Sequence, residues 1–167
     1  EKWARRLVDT NVERLKDKDI LWADLVFIGG MAVQRTSARQ IIDRCNALNI
    51  TVVAGGPLFT SEPDEFKTVD HLVLDEAELT VPQFLSDLEK GQAKKIYRAP
   101  GFCDPGDTPI PLWNLLKMNR YASMSLQFSR GCPFNCDFCN VTALFGHKPR
   151  LKTPGQVLLE LDRIYAA

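Results

Sequence analysis

The chain has no excess of charge of either sign, with 21 Lys and Arg against 21 Asp and Glu. Lacking a basic field, it has no footprint for a phosphate backbone, and nucleic acid is not expected among its partners. Long hydrophobic runs are missing as well. No apolar stretch reaches the roughly 18 residues needed to cross a bilayer, so no transmembrane segment is expected. Nor is there a basic-then-apolar leader, and the five cysteines are an odd set. Together these argue against the disulfide framework of a secreted protein and for a reducing, cytoplasmic compartment. Position 1 is Glu rather than Met, as expected of a piece excised from a longer protein.

What the chain does have is concentrated in Ser129-Arg-Gly-Cys132-Pro-Phe-Asn-Cys136-Asp-Phe138-Cys139-Asn140. Three thiols fall within eight residues, spaced Cys-x-x-x-Cys-x-x-Cys, so one short loop can turn all three sulfurs onto a single metal centre. A cubane of four irons and four sulfides is normally held by four thiolates, and three would leave one iron open. Open coordination positions are where metal chemistry takes place. Zinc is the alternative. His147 would complete a Cys3His set, although its spacing from Cys139 is longer than a compact knuckle uses.

With Phe138 directly before the third thiol, Cys132, Cys136 and Cys139 resemble the cluster loop of the radical S-adenosylmethionine superfamily. The resemblance implies a 4Fe-4S cluster on these three thiols, its unique iron chelated by the amino and carboxylate groups of S-adenosylmethionine, and Phe138 near the adenine. It also implies that one electron, from a reductant such as ferredoxin or flavodoxin, cleaves the sulfonium to methionine and a 5'-deoxyadenosyl radical. That radical abstracts hydrogen from an unactivated carbon, with the protein supplying position and exclusion of water.

The flanks supply context. Ala122, Met124, Leu126 and Phe128 alternate with polar residues, a period of two that predicts a strand. After the loop, Thr153-Pro154-Gly155-Gln156 reads as an N-cap, a first-turn proline and a capping-box glutamine. Val157, Leu158, Leu161, Ile164 and Tyr165 then recur at helical spacing. Strand, reactive loop and helix make the first β/α unit of a partial TIM-type barrel, in which active sites gather at the C-terminal strand ends.

From Arg5 to Gly91 strands alternate with helices. Strands are expected at Arg6 to Asp9, at Asp24 to Gly30 (an apolar run typical of burial on both faces), at Thr51 to Ala54 and at His71 to Leu74. Helices are expected at Asp17 to Ala23, from a capping box at Ser37 and Gln40 onward to Asn49, at Pro63 to Phe66, and from Pro82 to a stop at Gly91. This alternation predicts an α/β fold with a doubly wound parallel sheet, Rossmann- or flavodoxin-like. Ligands bind such sheets outside the carboxyl ends of the strands. Those ends carry Gly29-Gly30-Met31, Gly55-Gly56-Pro57 and Glu76-Ala77-Glu78, and the glycine pairs permit close backbone approach.

The order of these segments resembles the cobalamin-binding domain that precedes many radical S-adenosylmethionine cores. It implies a corrinoid over Gly29, Gly30, Met31, Gly55, Gly56 and Pro57, with Glu76 at the same edge. The Asp-x-His-x-x-Gly motif of domains that ligate cobalt from below is missing. It would follow the first strand of the domain, and the pattern here starts near the second.

The domain reading is therefore 1–98 as a cobalamin-binding-like unit whose first strand is missing, 99–117 as a proline-rich linker, and 118–167 as the start of a truncated radical S-adenosylmethionine domain. Cys45 on a helical stripe and Cys103 in the linker are read as packing and bystander thiols. Trp113 is read as core, His71 as a partly buried strand residue, and His147 as solvated beside Lys148 and Arg150. The function expected is an enzyme acting on a small-molecule substrate by methyl transfer or oxidative cyclisation. Relatives implied by the resemblance include anaerobic magnesium-protoporphyrin monomethyl ester cyclases and hopanoid methylases. The alternative is a flavodoxin-like small-ligand binding module with a structural Cys3His zinc site. The fragment alone is expected to be inactive and to self-associate through unpartnered apolar surfaces.

Overall fold

The computed structural model of the protein describes residues 3–167. Four parallel strands form the main sheet in the order β1-β2-β3-β4: β1 Leu25–Gly29, β2 Thr51–Gly55, β3 His71–Val73 and β4 Ile96–Tyr97. The register aligns Gly29 with Gly55 and Gly55 with Val73, so these strand ends lie along one edge.

Helices cover both faces, as a doubly wound sheet requires. Period-two alternation splits β2, sending Val52 and Ala54 to one core and Val53 to the other. On the first face, α2 Arg35–Ala47 presents Ala38, Ile42 and Cys45, and α3 Pro57–Ser61 adds Leu58 and Phe59. On the second, α4 Ala77–Glu89 sets Phe84 against Val53, Val73 and Tyr97. A short α1, Asp17–Leu21, buries Ile20 in the first core.

Several local expectations shift. Arg6 to Asp9 forms no strand. Strands β2 and β3 send residues to both cores, but β1 is an edge of the sheet, with Phe27 53% exposed and its ring edge-on to Phe84. Helix α2 starts two residues before the Ser37 capping box, and Ser37 Oγ donates to the Gln34 carbonyl instead of capping. Helix α4 runs through Pro82 from Ala77. Burial of Thr80 and Phe84 outweighs the hydrogen bond that proline forfeits. The stops are as expected, with Asn49 and Gly91 at positive φ.

The thiol-bearing segment forms a second, smaller layer. Residues 122–128 form no strand, and their one tie to the later ladder is the bond that Lys152 N–H donates to the Phe128 carbonyl at 3.0 Å. Pairing begins at β5 Ser129–Arg130, antiparallel to β6 Arg150–Leu151. Between them lie the thiol loop and α5 Val141–Phe145, and after them α6 Pro154–Tyr165. The capping box of α6 is formed, with Gln156 N–H donating to Thr153 Oγ1 and Thr153 N–H donating to Gln156 Oε1. Its expected apolar stripe is not buried. Leu158, Leu161 and Tyr165 are exposed, and the buried residue of the helix is Glu160, paired with Lys152.

Candidate functional site

The loop that carries the thiols is closed at its neck. Cys132 N–H donates to the Gly146 carbonyl at 3.1 Å, directly above the Arg130–Arg150 rung of the β5/β6 ladder. Gly131 and Gly146 both sit at positive φ, where side chains are disfavoured. A Cβ on Gly131 would run into the Lys148 carbonyl, and one on Gly146 into the Phe102 ring at 2.8 Å. Inside the loop, Cys139 N–H turns back to the Cys136 carbonyl at 3.0 Å. Cys136 is exposed, Cys132 and Cys139 are half-buried, and Phe138 is 92% exposed. The thiols share one tight loop, but among the described residues no three His, Cys, Asp or Glu side chains are gathered into a metal site. His147, the zinc alternative's fourth ligand, is exposed.

The glycine turns meet along the C-terminal edge of the sheet. Leu58 N–H donates to the Gly30 carbonyl, and a Cβ on Gly56 would lie 3.7 Å from the Gly30 backbone, so the two pairs sit side by side. Gly29 faces open space and Met31 is 55% exposed, leaving the β1 end free for a ligand. Gly55 has a different reason to be glycine. Its Cβ would stand 2.5 Å from the Val73 carbonyl oxygen, so the neighbouring strand excludes a side chain there. A valine at this position would therefore disturb the sheet itself.

Glu76, at the end of β3, is committed elsewhere. Its side chain is 1% exposed and grips Arg150, with Nη2 donating to Oε1 at 2.6 Å and Nη1 to Oε2 at 3.0 Å. Cys103 N–H donates to the same carboxylate at 2.5 Å. Two residues on, Glu78 receives both Arg130 nitrogens, at 2.7 and 3.0 Å. Arg130 also reaches Cys103 Sγ at 3.3 Å, and Arg150 donates to the carbonyls of Cys103 and Phe145 while stacking over Phe102. Burial pushes both carboxyls up, but the guanidinium hydrogen bonds, backbone N–H donors and guanidinium charge together more than offset it and hold them below the ordinary glutamate value. Cys103 is the reverse case: burial, then the glutamates beside it, push its thiol up to about 11.

No family model matches the chain. Over 99% of its length it is 46% identical to the uncharacterized methyltransferase sll1242 of Synechocystis sp., of which it covers 31%. Over 98% of its length it is 33% identical to hopanoid C-2 methylase of Rhodopseudomonas palustris, covering 32% of that protein. Bacteriochlorophyllide d C-8(2)-methyltransferase of Chlorobaculum tepidum is 28% identical over 78% of the chain and 31% of its own length. Along nearly its whole length the chain is similar to methyltransferases of the radical S-adenosylmethionine type. It spans about a third of the length of the curated relatives it matches.

A 4Fe-4S cluster is the group that this similarity implies for the thiol loop. The donor chemistry fits: three thiols, the ligand type that holds iron–sulfur clusters, lie on an accessible loop with a fixed neck. Sequence reasoning missed the ion network. It named Arg150 only as a neighbour of the solvated His147, whereas that side chain is 15% exposed and paired. The available signal was the pair of acids two apart at Glu76 and Glu78, set against arginines at both ends of the thiol loop.

Proposed function

We propose that the full-length protein transfers a methyl group to an unactivated carbon of a small-molecule substrate by radical S-adenosylmethionine chemistry. The observation that carries this reading is the Cys132, Cys136, Cys139 loop lying within a chain that aligns along nearly all its length with named methylases. Those names favour methyl transfer over oxidative cyclisation. Cys132, Cys136 and Cys139 would hold a 4Fe-4S cluster, and Phe138 would lie beside the adenine of S-adenosylmethionine. The bound cluster supplies the electron that cleaves the sulfonium. The chain's part is to hold the thiols on one loop, close its neck through Gly131 and Gly146, and set it over the sheet edge.

Cobalamin is the second cofactor in this reading, resting on the open edge at Gly29, Gly30 and Met31 beside Gly56 and Pro57. Gly55 supports that edge from within the sheet, and Glu76 serves the ion network behind it. The division into 1–98, 99–117 and 118–167 belongs to the same reading. So do a ferredoxin- or flavodoxin-type reductant, a cytoplasmic location, and inactivity and self-association of the isolated fragment. The exposed edge of β1 and the bare face of α6 support self-association.

Anaerobic reconstitution of the full-length protein tests the reading. Iron and sulfide uptake in near-equal amounts is expected, lost in each of Cys132→Ala, Cys136→Ala and Cys139→Ala and kept in Cys45→Ala and Cys103→Ala. Stoichiometric zinc without iron uptake would overturn it in favour of the flavodoxin-like module.

A further inference from the structure

The ion network has a topology that stability alone does not require. Glu76 and Glu78 flank the start of α4, at the C-terminal end of the parallel sheet. Arg130 and Arg150 are opposite members of one rung of the β5/β6 ladder, the rung at which the thiol loop leaves and returns. Each glutamate takes one arginine through two hydrogen bonds, so two forks grip the two legs of the loop at its base. Two carboxylates face two guanidiniums, and the cluster is neutral as a set. All four side chains are 15% exposed or less. The legs are the right ones for control of the loop. Arg130 is followed by Gly131 and Cys132, and Arg150 holds the Phe145 carbonyl, next to the Gly146 that receives the Cys132 N–H.

We infer that Glu76–Arg150 and Glu78–Arg130 act as a two-pronged clamp that fixes the position of the thiol loop over the C-terminal edge of the sheet. These four are positioning residues: they bond neither the three loop thiols nor the glycine edge but set the distance and angle between the two. The inference deepens the proposed function, because it rests on the loop and the edge each holding a reactive group. An arginine fork defines orientation as well as proximity, which a lysine would not. Cys103 sits between the prongs, offering its N–H to Glu76 and its sulfur to Arg130, and so ties the segment before the thiol loop into the same clamp.

The test uses the full-length protein and begins with metal-free material. Hydrogen exchange is followed at the amides of Cys132 and Lys152, which close the neck, and at Val53 and Leu72 in the sheet. In Glu78→Gln and Arg130→Gln the neck amides should exchange about tenfold faster or more, with the sheet amides unchanged. The double variant should be no worse than Arg130→Gln alone, because that single already removes the interaction with Glu78. After reconstitution, Glu78→Gln should take up iron as the wild type does, yet form about 10- to 100-fold less methylated product per 5'-deoxyadenosine released. Unchanged neck exchange, or an equal rise at Val53 and Leu72, would overturn the clamp whatever the cofactor result. Unchanged product per 5'-deoxyadenosine in a variant whose neck exchanges faster would overturn its positioning role. Failure of the wild type to take up iron would instead strike the proposed function and leave the exchange result standing.

Discussion

Lys152 and Glu160 are 4% and 5% exposed at their side chains and bonded to each other, and Lys152 N–H also donates to the Phe128 carbonyl. They join the end of β6 to α6, whose large apolar residues Leu158, Leu159 and Leu161 face outward. Val157 and Ile164 are the half-buried aliphatics of that helix. At roughly 1–1.5 kcal/mol for each half-buried side chain, they hold α6 by about 2–3 kcal/mol. Removing one partner of a buried ion pair costs about 3–5 kcal/mol, because the other charge is left uncompensated. Lys152→Met should therefore cost more than the apolar contacts of α6 supply, and the helix should come loose while the parallel sheet stays folded. Replacing both, as Lys152→Met with Glu160→Leu, removes the stranded charge and should restore most of the attachment. Hydrogen exchange in the full-length protein reads this directly. Amides from Val157 to Tyr165 should lose protection by roughly a hundredfold or more in the single variant, saturating once the helix is fully released, and regain most of it in the double. If the single variant kept α6 as protected as wild type, or the double were as loose as the single, the helix would be held by something other than this pair.

Gly55→Ala should lower stability by about 1–3 kcal/mol, read as a drop in the urea midpoint, because its Cβ meets the Val73 carbonyl at 2.5 Å. Gly131→Ala should cost a similar amount of about 1–3 kcal/mol for a left-handed non-glycine residue and reduce iron content after reconstitution with all three thiols intact. Alkylation of the folded, metal-free protein near pH 8 should label Cys136 first and spare Cys45 and Cys103, which are buried and whose thiols burial pushes up; rapid labelling of Cys103 would contradict its enclosure. Acid should weaken the clamp. Glu76 and Glu78 have folded pKa values below their unfolded ones, so their contribution is complete above the ordinary glutamate value and lost as pH falls through the lowered one. The urea midpoint should decline below about pH 4.3, and less steeply in Glu76→Gln.

Local chemistry in the sequence determined the thiol loop, the parallel strands β1 to β3, the stops at Asn49 and Gly91 and the cap of α6. Each depends on spacing, periodicity or a single backbone conformation within a few residues. Tertiary structure decided what those elements serve. Residues 122–127 alternate like a strand but form none, because alternation describes one segment and pairing needs two. The stripe of α6 reads as apolar at helical spacing, yet Glu160 is the residue that turns inward, because Lys152 arrives from a different element. Gly55 looked like a ligand cradle until the Val73 carbonyl was seen to fill the space. Glu76 and Arg150, 74 positions apart, are each unremarkable in sequence. Charge complementarity at such separation leaves no local periodic mark, and it takes form only when the fold carries the base of the thiol loop to the end of β3.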